Sequence, residues 1–204
     1  MHQKILSDNQ KEILPVVHAF KKDFYLVGGT AIALQLGHRS SIDFDLFSFN
    51  HLKRKKILDI VSSFGFPIQI TRNVEEQINM TVHGVKMTFF EYPFRIDHPL
   101  CFDNGVTMPD LLSLAAMKAY ALGRRSKWKD YVDLFYILQY NYSIKDIESK
   151  ATEIFGQMFS PKLFRSQLSW FDDIDYSETI DYSGDPVEEE FIRKTLADIA
   201  VQVD

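Results

Sequence analysis

Twenty consecutive residues, Gly28-Gly29-Thr30-Ala31-Ile32-Ala33-Leu34-Gln35-Leu36-Gly37-His38-Arg39-Ser40-Ser41-Ile42-Asp43-Phe44-Asp45-Leu46-Phe47, hold the residues best placed to do chemistry. Phe24 to Val27 reads as a buried strand, the glycine pair as a tight turn with close backbone approach, and Thr30 to Leu36 as a helix. Free backbone N–H groups at such a helix start suit a phosphate. Ile42 to Phe49 reads as the next strand, so Asp43 and Asp45 project from one sheet face with Cα atoms about 7 Å apart. Two carboxylates on one face can share a divalent metal. A phosphate seat beside paired carboxylates is the minimum hardware for metal-assisted phosphoryl or nucleotidyl transfer.

Each half of this pattern also has a plain structural meaning. Glycine pairs are common in strand–helix turns, and Asp-x-Asp at a strand start is often a solvated edge. It is the joint spacing, with His38-Arg39 between the halves, that points to a site. His38 and Arg39 follow Gly37 at the end of the short helix, where cations favour the terminus. Arg39 touching a phosphate is the functional alternative.

A second constellation lies downstream. Lys118 has Leu114, Ala115, Ala121 and Leu122 at i−4, i−3, i+3 and i+4, so it sits inside the apolar stripe of its helix. It must snorkel to solvent or meet a partner. Asp130 and Asp133, three apart among Trp128, Tyr131, Val132, Leu134 and Phe135, pose the same question, with Lys118, Arg124 and Arg125 the nearest cations in sequence. An ion-pair network between two packed helices is the structural reading.

The segments GGTAIALQLGHRSSIDFDLF and LLSLAAMKAYALGRRSKWKDYVDLFYIL resemble the AbiEii/AbiGii toxin family of nucleotidyltransferase-like proteins, within the polymerase-β-type nucleotidyltransferase superfamily. The resemblance implies Mg²⁺-dependent (or Mn²⁺-dependent) transfer of a nucleoside monophosphate from an NTP to an acceptor, with tRNA the best single expectation. By the same resemblance Asp43 and Asp45 hold the metal, and Gly28, Gly29 and Thr30 seat the triphosphate. Arg39 and Arg125 contact substrate, Lys118 holds phosphates, and Asp130 orients or deprotonates the acceptor with Asp133 as its neighbour. A cognate antitoxin, usually a helix-turn-helix protein, is the implied partner. One departure stands out: relatives often place a third carboxylate where this chain has Thr88, and Glu91, three residues on, belongs to the opposite pleat face. That motivates a rival reading, a non-catalytic nucleotide- or partner-binding module that retains the fold.

The elements that must position these residues read as an α/β fold, a small mixed sheet with flanking helices in a nucleotidyltransferase-like core over 1–106. An all-helical half over 107–204 follows. Asp8 caps a first helix in which Pro15 marks a kink or fresh start, and His51 to Phe64 is a helix. Phe66–Arg72, Gln77–Val82 and Val85–Tyr92 are strands, with His83-Gly84 a hairpin turn. Phe89 to Phe94 reads as core rather than as a base-stacking platform. Helices are expected from Pro109, over Trp128–Tyr140, Ile144–Phe155 and Pro161–Trp170, and finally over Val187–Val201.

At 204 residues, 46% hydrophobic and 25% charged, the chain has the composition of a globular protein. It lacks an apolar run of membrane-spanning length and a signal-peptide core, so a cytoplasmic location is expected. Cys101 is the only cysteine, which excludes an internal disulfide and is read as a buried, inert residue. The net charge of −5 divides unevenly: residues 1–171 carry 21 Lys+Arg and 17 Asp+Glu, residues 172–204 carry 2 and 11. A mildly basic body is compatible with a nucleotide or RNA substrate. Residues 171–186 read as an acidic loop, and the acidic segment Asp172 to Glu190 is either solvated or a cover over that body.

Overall fold

The computed structural model describes residues 1–122, 124–140 and 142–202. The chain forms two compact units, residues 1–110 and 111–204.

The first unit begins with a helix that its own sequence starts and stops. Ser7 and Gln10 form a reciprocal capping box at the head of α1 (Asp8–Glu12), and Pro15 occupies the first turn of a new helix, α2 (Leu14–Ala19). Pro15 therefore marks a fresh start rather than a kink. There follow β1 (Tyr25–Val27), α3 (Gly28–Leu36), β2 (Asp43–Ser48), α4 (Arg54–Ser62), β3 (Ile68–Asn73), β4 (Gln77–Val82) and β5 (Val85–Glu91). The five strands form one sheet in the order β1-β2-β5-β4-β3, with β2 and β5 parallel and the other neighbours antiparallel.

Alternation sorts the sheet into an apolar face and a polar one. Phe44, Leu46, Ile78, Met80, Met87 and Phe89 are buried, and Phe20 and Phe24 meet Phe89 edge-on at 4.7 and 5.3 Å between ring centres. Burying such side chains contributes roughly 1.5–3 kcal/mol each, which pins the strand register, since a one-residue slip would put every one of them on the other face. The opposite face carries Asp43, Asp45, Lys86 and Thr88.

A second, two-stranded sheet pairs β6 (Leu100–Phe102) with β7 (Val106–Met108). Asn104-Gly105, both at positive φ, turns the chain between the two short strands, an element that no strand expected from the sequence covers. Cys101 is exposed, not buried as expected, because it takes the outward position between half-buried Leu100 and buried Phe102.

The second unit is helical: α5 (Leu111–Leu122), α6 (Trp128–Tyr140), α7 (Ile144–Phe155), α8 (Pro161–Leu168) and α9 (Glu189–Ala200). Ser143 and Ser160 cap α7 and α8. The acidic loop is held to its own unit. Trp128 N–H donates to the Asp175 carbonyl (3.1 Å), Asp175 N–H to that of Ser126 (2.7 Å), and Glu178 pairs with Lys127 and with Lys129 (3.1 Å). Among the described residues no helix is long and apolar enough to cross a membrane.

Candidate active site

In the first unit, six of the predicted site residues surround the β1–α3 turn. The antiparallel register pairs Val27 with Asp45, so the chain enters the turn beside that carboxylate. Gly28 has φ +73°, and a Cβ there would overlap Asp45 Oδ2. A Cβ at Gly29 would lie 2.5 Å from Arg39 Nη2 and 3.2 Å from Ser41 Oγ. Gly28 is required by its positive φ and the acid packed on it, and Gly29 leaves room for the end of the Arg39 side chain. Val27, the residue before α3, offers no side-chain cap. The first-turn N–H groups of a helix have no partner within it and lie at the positive end of its dipole.

Thr30 fixes this turn to β2. Its hydroxyl is buried and bonds both the Asp43 carbonyl and Ser41 Oγ, the latter at 2.9 Å. With one hydroxyl proton available, Thr30 donates to the carbonyl and Ser41 donates to Thr30. Arg39 is 2% exposed and donates from Nη1 to the Ser40 carbonyl (2.9 Å). It is therefore not a solvated cation at a helix end; it folds back against Gly29.

The carboxylates stand half-buried on β2, on the polar face. In the parallel register Asp43 lies beside Lys86 and Asp45 beside Thr88, and Lys86 Nζ is 3.9 Å from Asp43 Oδ2. Thr88 thus takes the strand position adjoining the pair. Glu91 belongs to the other face, in register with Ser48, and meets His51 Nδ1 at 2.8 Å. Sequence reasoning missed Lys86 and Ser41. Nothing in the sequence says which strand will lie beside β2, so Lys86 could be found only from the pairing.

The other four predicted residues lie in the second unit and form a cluster of their own. Lys118 on α5 is buried, with its ammonium shared between Asp130 and Asp133 on α6, the latter at 2.9 Å. Arg125 closes a fork on Asp130, Nε to Oδ2 at 2.9 Å and Nη2 to Oδ1 at 3.2 Å. Snorkelling of Lys118 is ruled out by this geometry. Arg124 is elsewhere, with its guanidinium 3.5 Å from the centre of the Tyr120 ring. Two cations balance two carboxylates, which is what permits such charge to be buried.

Comparison with known proteins bears on this geometry. The family described as "Nucleotidyl transferase AbiEii toxin, Type IV TA system" matches residues 16–198. The chain belongs to this AbiEii family. It is 30% identical to a protein of Aquifex aeolicus (strain VF5) described as uncharacterized, over 93% of this chain and 95% of that one. Its fold is similar to that of MenT4, a nucleotidyltransferase toxin of Mycobacterium tuberculosis H37Rv, with a TM-score of 0.61 at 13% identity over 93% of this chain and 81% of the other. JHP933 of Helicobacter pylori is similar at a TM-score of 0.57 and 16% identity, over 96% and 91% of the two chains.

As an AbiEii-family nucleotidyltransferase, the protein invites a test of whether its residues suit a divalent ion. Among the described residues no group of three or more His, Cys, Asp or Glu could hold one. Mg²⁺ is a hard cation that keeps several waters and can be bound through one or two carboxylates plus substrate phosphates. Asp43 and Asp45 would offer such a pair, beside the start of α3.

Proposed function

We propose that this nucleotidyltransferase moves a nucleoside monophosphate from an NTP to an RNA acceptor, tRNA, with Mg²⁺ or Mn²⁺ held by Asp43 and Asp45. The observation that carries the reading is the packing of the Asp45 carboxylate on Gly28 at the start of α3, where Val27 offers no side-chain cap. Phosphate oxygens taken up by the N–H groups of Gly29 and Thr30 come to rest next to the metal-binding acids. When bound, the ion supplies Lewis-acid polarisation of the phosphoryl oxygens.

In this scheme the acceptor hydroxyl oxygen forms a bond to the α-phosphorus, the bond to the β-phosphate oxygen breaks, and pyrophosphate leaves. Arg39, seated against Gly29, contacts the leaving phosphates, and Gly28 lets Asp45 approach. Lys118 neutralises charge on the triphosphate, Arg125 contacts substrate, and Asp130 orients the acceptor hydroxyl or takes its proton, with Asp133 holding Lys118 in place. A helix-turn-helix antitoxin is the proposed protein partner, and the cytoplasm the proposed site of action.

The test is transfer of label from α-³²P NTPs to a tRNA pool with Mg²⁺, comparing the protein with Asp43→Ala and Asp45→Ala. Loss of transfer with an unchanged or raised melting temperature supports the proposal, because removing like charge from one strand face relieves repulsion. Variants that keep their activity show the acids to be structural. NTP binding with no transfer by the unaltered chain favours the binding-module alternative, which Thr88 beside Asp45 motivates.

A further inference from the structure

The polar face of the sheet does not end at the carboxylates. Two residues on from Asp45 stands Phe47, and two on from Thr88 stands Phe90, and the parallel register puts them side by side. Their ring centres are 5.2 Å apart with the planes inclined at 61°, and Tyr92 lies 5.1 Å from Phe47 and 6.1 Å from Phe90. Both phenylalanines are half-buried, whereas Phe44 and Phe89, their opposite-facing neighbours on the same strands, are completely buried. Phe90 therefore departs from the expectation that this aromatic run is core: Phe89 is, and Phe90 is not. The face that carries Asp43 and Asp45 thus continues into an aromatic surface, about 7 Å along the strand from Asp45.

We infer that Phe47 and Phe90 form the platform on which the terminal base of the acceptor RNA stacks. The inference rests on the transfer reaction proposed above and adds where the acceptor lies. In an in-line displacement the entering oxygen and the leaving pyrophosphate occupy opposite sides of the α-phosphorus. The phosphate seat is at Gly28 and Gly29, across Asp45 on the β1 side. Phe47 and Phe90 lie past the carboxylates in the other direction, between β2 and β5. A nucleotide that places its sugar hydroxyl at the carboxylates from that side sets its own base against this pair, stacked on the face of one ring and bordered by the other. Aromatic rings accept any base by its π-face, so the platform positions the acceptor end without reading its identity.

The test measures acceptor binding directly, without NTP. A short RNA hairpin with 2-aminopurine as its 3′-terminal residue is titrated with the full-length protein, with Phe47→Leu/Phe90→Leu, and with Phe47→Tyr/Phe90→Tyr. Leucine keeps the apolar bulk and removes the π-face; tyrosine keeps both. The expected result is saturable quenching of 2-aminopurine by the protein and by the tyrosine variant, with affinity lower by about 5- to 150-fold in the leucine variant. NTP affinity stays unchanged in all three. Equal RNA affinity and quenching in the leucine variant overturns the inference. So does a loss confined to NTP affinity, which would put the donor base on the rings instead. Circular dichroism and melting of each variant show that the comparison is made on folded protein. Failure of RNA binding here leaves the NTP-dependent half of the transfer assay intact. Failure of transfer with this binding preserved counts against the reaction and not against the platform.

Discussion

Replacing Lys118 by Met separates the structural part of that residue's role from any contact with substrate. Its side chain is 7% exposed, and the acids it serves, Asp130 and Asp133, are 3% and 0% exposed. Methionine nearly conserves the volume, so the loss is of charge rather than of packing. What remains is two buried carboxylates facing one guanidinium, and that guanidinium, Arg125, is itself 52% exposed and forks onto Asp130. Removing one partner of a buried ion pair costs about 3–5 kcal/mol, because the other charge stays desolvated. At about 2–4 °C per kcal/mol for a chain of this size, the melting temperature should fall by roughly 6–20 °C. The double variant Lys118→Met/Asp133→Asn removes the surplus negative charge and should recover at least half of the loss, read by urea denaturation with unchanged slope. Assayed where all forms are folded, both variants stay inactive if Lys118 also touches the triphosphate. A Lys118→Met protein that melts within about 2 °C of the parent, under 1 kcal/mol on the same scale, would falsify the reasoning that this cluster holds the second unit together.

Three further perturbations probe the rest of the chain. Gly28→Ala forces an L side chain to φ +73° against Asp45 Oδ2; it should lose about 1–2 kcal/mol from the backbone alone and weaken Mg-NTP binding in calorimetry, whereas Gly184→Ala, with open space around it, should do neither. Thr88→Asp puts a third carboxylate in register with Asp45; it should tighten Mn²⁺ binding measured by titration calorimetry and, in EDTA, lower stability by about 1–3 kcal/mol, and weaker Mn²⁺ binding would contradict the placement. The hydrogen bond from Lys127, reinforced by Lys129, holds the Glu178 carboxyl at about 2, below its ordinary 4.5. Its contribution is therefore present above pH 4.5 and lost as the pH falls from there toward 2. Because the side chain is 41% exposed, Glu178→Gln should cost no more than about 0–1 kcal/mol at pH 7, with the melting-temperature gap closing below pH 4.5; a gap independent of pH would sink the argument.

The sequence by itself determined whatever depends on local spacing. Period-two alternation and the flanking turns gave β2, β4 and β5 nearly to their ends, and the apolar stripes gave the helices of the second unit. Asp43 and Asp45 could be assigned to one face because two residues of a strand always share one, and Glu91 to the other for the same reason. The cap of the first helix falls on Ser7 rather than on the expected Asp8, because the Ser7 hydroxyl accepts from the Gln10 N–H while the Gln10 side chain returns the bond to the Ser7 N–H.

Only the tertiary structure decided what stands next to what across long separations. That Lys86 and Thr88, rather than residues of another strand, lie beside Asp43 and Asp45 follows from the parallel pairing of β2 with β5, a choice made by the burial of Phe44, Leu46, Met87 and Phe89 on the far face. That Phe90 joins Phe47 on the face of the acids is set by the same register. Lys118 turned out to be paired rather than snorkelling because α5 and α6 pack with the charges facing, which helical periodicity can permit but cannot choose. Arg39 reached Gly29 for the same kind of reason: a chain reversal between α3 and β2 places two residues ten apart in contact, and the absence of a Cβ on the glycine leaves room for the guanidinium.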